Sequence, residues 1–208
     1  GHWLKVDCEV KGLVVTSAVT DEEFNRLSSA TVDLLSEDEI NPKGVIGKRM
    51  TLTMEPEEGE KRFYCGTCIS IEYLGRELGE HTGDALWERA HSYRAELRSW
   101  SWFLSKTTNC RIFQKMSVID IFDKVVGDHG FSDYQKKLSK THPKHDYVVQ
   151  YRESDLDFLD RILTQEGVYI FSEMSDNKEE LVLADGKSAH SVVDGDDKIP
   201  FRYVGEAL

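Results

Sequence analysis

β-Favouring runs recur at short intervals through the first hundred residues, each ended by residues that turn a chain, and this spacing commits that half of the protein to an antiparallel β architecture. The candidate strands are Trp3–Val10, Gly12–Val19, Ser29–Leu35, Lys48–Met54 and Lys61–Tyr73. Turns fall at Asn41-Pro42-Lys43-Gly44 and at Glu55-Pro56-Glu57-Glu58-Gly59, where proline fixes one φ and glycine permits a positive one; the second joins adjacent strands as a hairpin. Helix propensity is respectable from Leu86 to Arg98. Trp87, Tyr93, Ala95 and Leu97 nevertheless alternate with Glu88, Ser92, Arg94, Glu96 and Arg98, and a period of two assigns strand at least to His91–Arg98. Gly75–Asp84 holds three glycines without periodicity and reads as a loop, the segment expected to move most.

The pattern changes at Ser99-Trp100-Ser101-Trp102-Phe103-Leu104, which reads as a short helix or turn leading to a boundary near Cys110. These aromatics suit a packed junction better than a partner surface, because residues so spaced commonly face one core. Two helices follow. Ser117 caps the first with Asp120 as short-armed capping-box partner, Val118, Phe122 and Val125 share a face, and Gly127 or Gly130 stops it. Ser154 caps the second with Asp157 in the same way; Leu156, Leu159, Ile162 and Leu163 form its buried stripe, and Gly167 ends it. Between them Asp146–Tyr151 reads as a strand, and afterwards Val168–Phe171 and Leu181–Ala184 form a hairpin about Asp176-Asn177-Lys178. The fold class read from the residues is therefore α+β: a β-rich N-terminal part, then a smaller part ordered helix, strand, helix, hairpin.

Composition narrows the function classes. The chain has 208 residues, 39% hydrophobic, enough for one large or two small cores, and a formal net charge of −12 that repels phosphate; no nucleic-acid partner is expected. No run approaches the ~20 apolar residues of a membrane span, and no cationic-then-apolar leader opens the chain. Gly1-His2 reads as a cloning remnant. Cys8, Cys65, Cys68 and Cys110 are too few and too irregular for a disulfide framework and point to a reducing compartment. Cys65-Gly66-Thr67-Cys68 has metal or redox spacing but lies in a β-favouring run without a second pair, so these read as ordinary strand cysteines.

Other candidate chemistry meets simpler readings. Glu153, Asp155, Asp157 and Asp160 cluster at a helix start, which favours carboxylates on its own; Asp157 has a capping role, and Arg152 reads as the ion-pair or interface partner beside Glu153. His129, His142, His145 and His190 are scattered, and His142-Pro143-Lys144-His145 lacks the helical spacing of zinc hydrolases, so they read as incidental surface histidines. No glycine-rich phosphate loop or Gly-x-Ser-x-Gly elbow occurs. No catalytic, cofactor-binding or metal-binding residue is assigned, and no cofactor or enzymatic activity is expected.

One long run is more specific. Tyr147-Val148-Val149-Gln150-Tyr151-Arg152-Glu153-Ser154-Asp155-Leu156-Asp157-Phe158-Leu159-Asp160-Arg161-Ile162-Leu163, continued by Glu166–Phe171, closely resembles the signature of VgrG proteins, the spike proteins of type VI secretion systems. Arg111-Ile112-Phe113-Gln114, Ser117-Val118, His129-Gly130-Phe131, Leu181–Asp185 and Ser188-Ala189-His190 resemble further family segments in the family's order. Leu34–Asp38, Gly47-Lys48 and Tyr93–Trp100 fit more loosely, so the resemblance spans about residues 29 to 204.

The resemblance implies a tail-hub module like that of contractile phages, with residues 3–110 as a β-barrel-like domain, 111–198 as an α+β domain and 199–208 opening a truncated second barrel. It implies an N-terminal fragment of a homotrimeric spike. The full-length protein would dock on the hexameric Hcp tube, contact baseplate components and effectors, and be secreted through the apparatus from the cytoplasm without a cleavable signal. The fragment itself is expected to be monomeric or weakly associated. A phage or prophage tail hub is the alternative in the same class, and the carrier part of a toxin with a downstream enzymatic domain is the alternative from another.

Overall fold

The computed structural model describes residues 3–56, 60–78 and 89–190. Six antiparallel strands, β1 (Leu4–Asp7), β2 (Val14–Asp21), β3 (Ser29–Ser36), β4 (Arg49–Met54), β5 (Arg62–Leu78) and β6 (Arg89–Arg98), form one sheet in the order β1-β4-β5-β6-β3-β2. The edge strands β1 and β2 approach one another, so the sheet curls into a nearly closed, barrel-like wall. Period-two alternation drives this: Val32 and Leu34 of β3, Met50 and Leu52 of β4, and Ala95 and Leu97 of β6 are fully buried on the inner face. Each large side chain removed from water contributes about 1.5–3 kcal/mol.

β5 carries the curvature. Its register shifts between Cys68 and Ser70 and again between Tyr73 and Gly75, and such bulges bend a strand and raise its twist. The Gly75–Asp84 expectation is corrected in part. Gly75–Leu78 continue β5 in register with Arg89–Ser92, while 79–84, with the Leu86–Glu88 stretch, lie outside the described residues. Cys65 and Cys68 are buried free thiols in β5, as strand cysteines should be. Gly66 between them lets β5 lie close on β6: a Cβ there would sit 3.1 Å from the Arg98 carbonyl oxygen.

After a 3-10 turn at Trp100–Lys106 come β7 (Thr108–Phe113), α1 (Val118–Asp128), β8 (Tyr134–Lys137), β9 (Val148–Ser154), α2 (Asp155–Gln165), β10 (Tyr169–Ser175) and β11 (Lys178–Ala184). β7 pairs antiparallel with β9, and β10-β11-β8 form a three-stranded sheet in which β8 runs parallel to β11. Neither β7 nor β8 is signalled by the local sequence pattern.

Both helix starts follow from their caps. At α1, the Asp120 N–H donates to Ser117 Oγ (3.1 Å) and the Ser117 N–H to Asp120 Oδ2 (3.0 Å), a reciprocal capping box. At α2, the Asp157 N–H donates to Ser154 Oγ (3.0 Å), but the serine hydroxyl returns its own proton to Asp157 Oδ2 (2.6 Å). Gly130 and Gly167, at φ +78° and +71°, follow the ends of α1 and α2, whereas Gly127 lies within α1. Ile121, Phe122 and Val125 of α1 meet Phe158, Leu159 and Ile162 of α2 in a second core, into which Trp100 and Leu104 also pack; Trp102 and Phe103 remain half-buried.

The β10–β11 hairpin lies against β5 and ties the two cores together. Arg49 Nη1 donates to the Asn177 carbonyl (2.8 Å), and Thr51 Oγ1 donates to Asn177 Oδ1 (2.9 Å). Asn25 donates its N–H to the Ile170 carbonyl (2.9 Å) and accepts the Ile170 N–H on Oδ1 (2.8 Å). Glu179, buried in this seam, accepts from the Trp100 N–H (3.1 Å) and the Ser172 hydroxyl (2.9 Å). Burial pushes its carboxyl above the usual range, and the serine hydroxyls and the Trp100 N–H offset part of that rise.

Candidate functional site

The family-like segments converge on one carboxylate. Asp155 opens α2 with its side chain 1% exposed, beneath the β7–β9 ribbon. Its two oxygens receive Arg111 Nη2 at 2.5 Å, His129 Nε2 at 2.7 Å, Gln150 Nε2 at 2.7 Å, and Asn109 Nδ2 at 3.0 and 3.2 Å. Three elements supply these four donor residues: Asn109 and Arg111 come from β7, His129 from the end of α1, and Gln150 from β9. Arg111 is fixed further through Nε to Gln150 Oε1 (2.9 Å) and Nη1 to Asp128 Oδ2 (3.3 Å).

Burial alone would raise the Asp155 carboxyl. The hydrogen bonds from Asn109, Gln150 and His129, with the Arg111 charge, outweigh it and hold the group below the ordinary carboxylate range. A carboxylate so saturated with donors has no lone pair aimed at a substrate. Its chemistry is that of a clamp joining ribbon and helices.

Above the clamp the ribbon's polarity is inverted. Asn109, Arg111 and Gln150 point inward, whereas Ile112 of β7 is 59% exposed and Tyr151 of β9 is 65% exposed, with Val149 and Tyr147 beside them. Ile112 and Val149 are register partners, so the outer face is one apolar strip. Arg152 is the extra residue of a β9 bulge, at φ +51°, with its guanidinium over the Tyr151 ring. The ion pair expected of Arg152 is instead made by Arg161, whose Nε reaches Glu153 Oε2 at 3.1 Å across the first turns of α2.

The four acidic candidates separate: Asp155 is buried in the clamp, Asp157 caps α2, Glu153 pairs with Arg161, and Asp160 is exposed. Among the described residues no three His, Cys, Asp or Glu side chains are grouped as metal ligands would be. The reading of the histidines as incidental surface residues is corrected for two of them. His129 belongs to the clamp, and His142, its side chain 5% exposed, bonds Asp185 Oδ2 through Nε2 at 3.1 Å. Asp185 also accepts the Ser139 N–H and hydroxyl and the Lys140 N–H, which overcome its burial and hold it well below the usual range. His145 bonds Glu166 Oε1 at 2.9 Å, and exposed His190 stacks on Tyr169.

The chain thus sets a nearly closed antiparallel wall beside an α+β unit clamped at Asp155. The profile of the phage tail baseplate hub (GPD) family matches residues 21–207, and the chain belongs to that family. Within it, the resemblance is to VgrG spike proteins: the type VI secretion system spike protein VgrG1c of Pseudomonas aeruginosa is 35% identical over 181 residues, covering 86% of this chain and 24% of the relative. VgrG1a of the same organism is 33% identical over 201 residues, 95% of this chain and 30% of the relative. The chain thus spans about a quarter to a third of these relatives. Among solved structures, the E. coli c3393 protein, a component of the type VI secretion system similar in structure to T4 bacteriophage tail proteins gp27 and gp5, superposes with a TM-score of 0.76 at 19% identity, over 91% of this chain and 51% of that one.

Proposed function

We propose that this chain is the N-terminal hub segment of a type VI secretion spike, a structural part that trimerises within the longer protein, docks on the Hcp tube and carries effectors outward without catalysing a reaction. The observation that carries the reading is the inverted ribbon: a buried four-donor clamp holds rigid a strand pair that shows Ile112, Val149 and Tyr151 to solvent. Apolar residues held outward on a fixed frame suit a subunit contact. We place the neighbouring subunit on that strip. The division into residues 3–110, 111–198 and the start of a second barrel at 199–208 belongs to the same proposal, with 191–208 outside the described residues. Among the described residues no helix is long and apolar enough to cross a membrane.

The test is Ile112→Asp with Tyr151→Asp in the full-length protein. The expected result is loss of the trimer by native mass spectrometry and loss of Hcp release by the host cell, with the melting of the isolated chain unchanged. A trimer that survives removes the strip as the contact, and undiminished Hcp release removes the spike reading.

A further inference from the structure

We propose that the seam between β10 and residues 21–29 is a binding groove for an extended basic peptide, which adds as a strand to the free edge of β10. Two cavities of about 430 and 400 Å³ adjoin there, both within the ~300–1,000 Å³ range of ligand clefts, and share Glu23, Arg26, Phe171 and Ser172 as common walls. β10 is the outer strand of its sheet, so among the described residues no strand pairs with one side of its backbone. Asn25 shows what that edge accepts. With one N–H and one side-chain oxygen it satisfies both backbone groups of Ile170, a single-residue imitation of an added strand. Antiparallel alternation turns the N–H and C=O of Ser172 to the same side, where no hydrogen bond among the described residues uses them.

The walls select the occupant. A strand laid along β10 sends alternate side chains to opposite faces. The lining includes Leu104, Phe122, Leu156 and Leu159, which offer apolar contact. It also carries Asp21, Glu22, Glu23, Asp157 and Asp160, against Arg26 and Arg98 among the described residues. Arg26 is already paired with Glu23 at 2.9 Å. Such a rim favours lysine or arginine and repels acidic chains. Trp100, 7% exposed, lines the same groove, and neither its indole N–H nor Arg98 Nε has an acceptor among the described residues. An entering backbone brings carbonyl oxygens.

The probe is fluorescein-labelled Lys-Val-Lys-Val-Lys with blocked ends, titrated into the 208-residue chain by anisotropy, with amide shifts followed by NMR. Saturable binding is expected at about 10–100 μM, with the largest shifts at Ile170–Met174. Two N-methylated versions, one at both valines and one at alternate lysines, remove donors from opposite edges; one should bind about tenfold more weakly and the other normally. Glu23→Lys with Asp160→Lys should weaken binding by about tenfold or more while leaving the melting curve in place. No saturation by about 1 mM overturns the proposal. So does equal binding of both N-methylated versions, equal binding of Glu-Val-Glu-Val-Glu, or self-association of the chain that those two charge reversals abolish, which would make a second copy the occupant.

Discussion

Replacing Asp155 by asparagine tests whether the carboxylate clamp is structural. The substitution keeps shape and volume but removes the charge and turns one acceptor into a donor, placed among donors of Arg111, His129, Gln150 and Asn109. Arg111 would keep its bond to Gln150 Oε1, but the one carboxylate left to it would be Asp128, a half-exposed partner at 3.3 Å. Breaking a buried ion pair from one side costs about 3–5 kcal/mol, against a total domain stability of about 5–15 kcal/mol. In a chain of this size each kcal/mol lowers the melting temperature by about 2–4 °C, so a fall of about 6–20 °C is expected. Urea and thermal melts by circular dichroism measure it, with Asp157→Asn as the exposed comparator expected to cost no more than about 1 kcal/mol. Replacing Arg111 by methionine together with Asp155→Asn should cost less than the sum of the two single changes, because the pair is then removed rather than orphaned. An Asp155→Asn protein within about 0.5 kcal/mol of the parent would refute the clamp.

Other expectations follow from the same coordinates. Ser154→Ala should cost about 0.5–2 kcal/mol and Leu159→Ala, in the second core, about 2–5 kcal/mol, a ranking read from denaturant midpoints. Asp155 and Asp185 both lie below their unfolded values, so the stability they contribute is complete above the unfolded pKa near ~4 and is lost as pH falls through their folded values; midpoints measured from pH 7 downward should drop there. Glu179 has the opposite sign: its raised carboxyl loses stability as pH rises from its unfolded value through its folded one, so Glu179→Gln should stabilise the chain at neutral pH and lose that advantage in acid. Maleimide should label exposed Cys110 in the native state, while buried Cys65 and Cys68, the latter thiol pushed up to about 11, react only on unfolding; a mass spectrum showing two or more native adducts beyond Cys8 would contradict this.

Sequence periodicity was sufficient where polarity and burial agree. β3, β4 and β6 alternate apolar-in and polar-out, and both helices announce themselves through Ser117 and Ser154. β7 was hidden because it breaks that agreement: its inward residues include Asn109 and Arg111, and its outward ones include Ile112. β8 is four residues, Tyr-Gln-Lys-Lys, held by a parallel partner distant in sequence, and it offers no apolar alternation to read. The clamp was half legible. The segments holding Arg111, His129, Gln150 and Asp155 stood out by resemblance, yet nothing in local spacing says that donors 5 to 46 positions from Asp155 meet on its one carboxylate. A buried polar run opposite an exposed apolar one is the signal to seek, because it is stable only when specific partners close over it.

The ties through Asn25, Arg49 and Thr51 join residues 145, 128 and 126 positions apart, and this sets the order in which the chain can be made. At ~5–20 residues per second, the roughly 80 residues between the end of β6 and the start of β11 take about 4–16 s to synthesise. For that time the curled sheet has left the ribosome with the flank of β5 unroofed and its last partner still to come. The early sheet must therefore either hold itself closed on local hairpin contacts or wait, partly open, for the hairpin that arrives last.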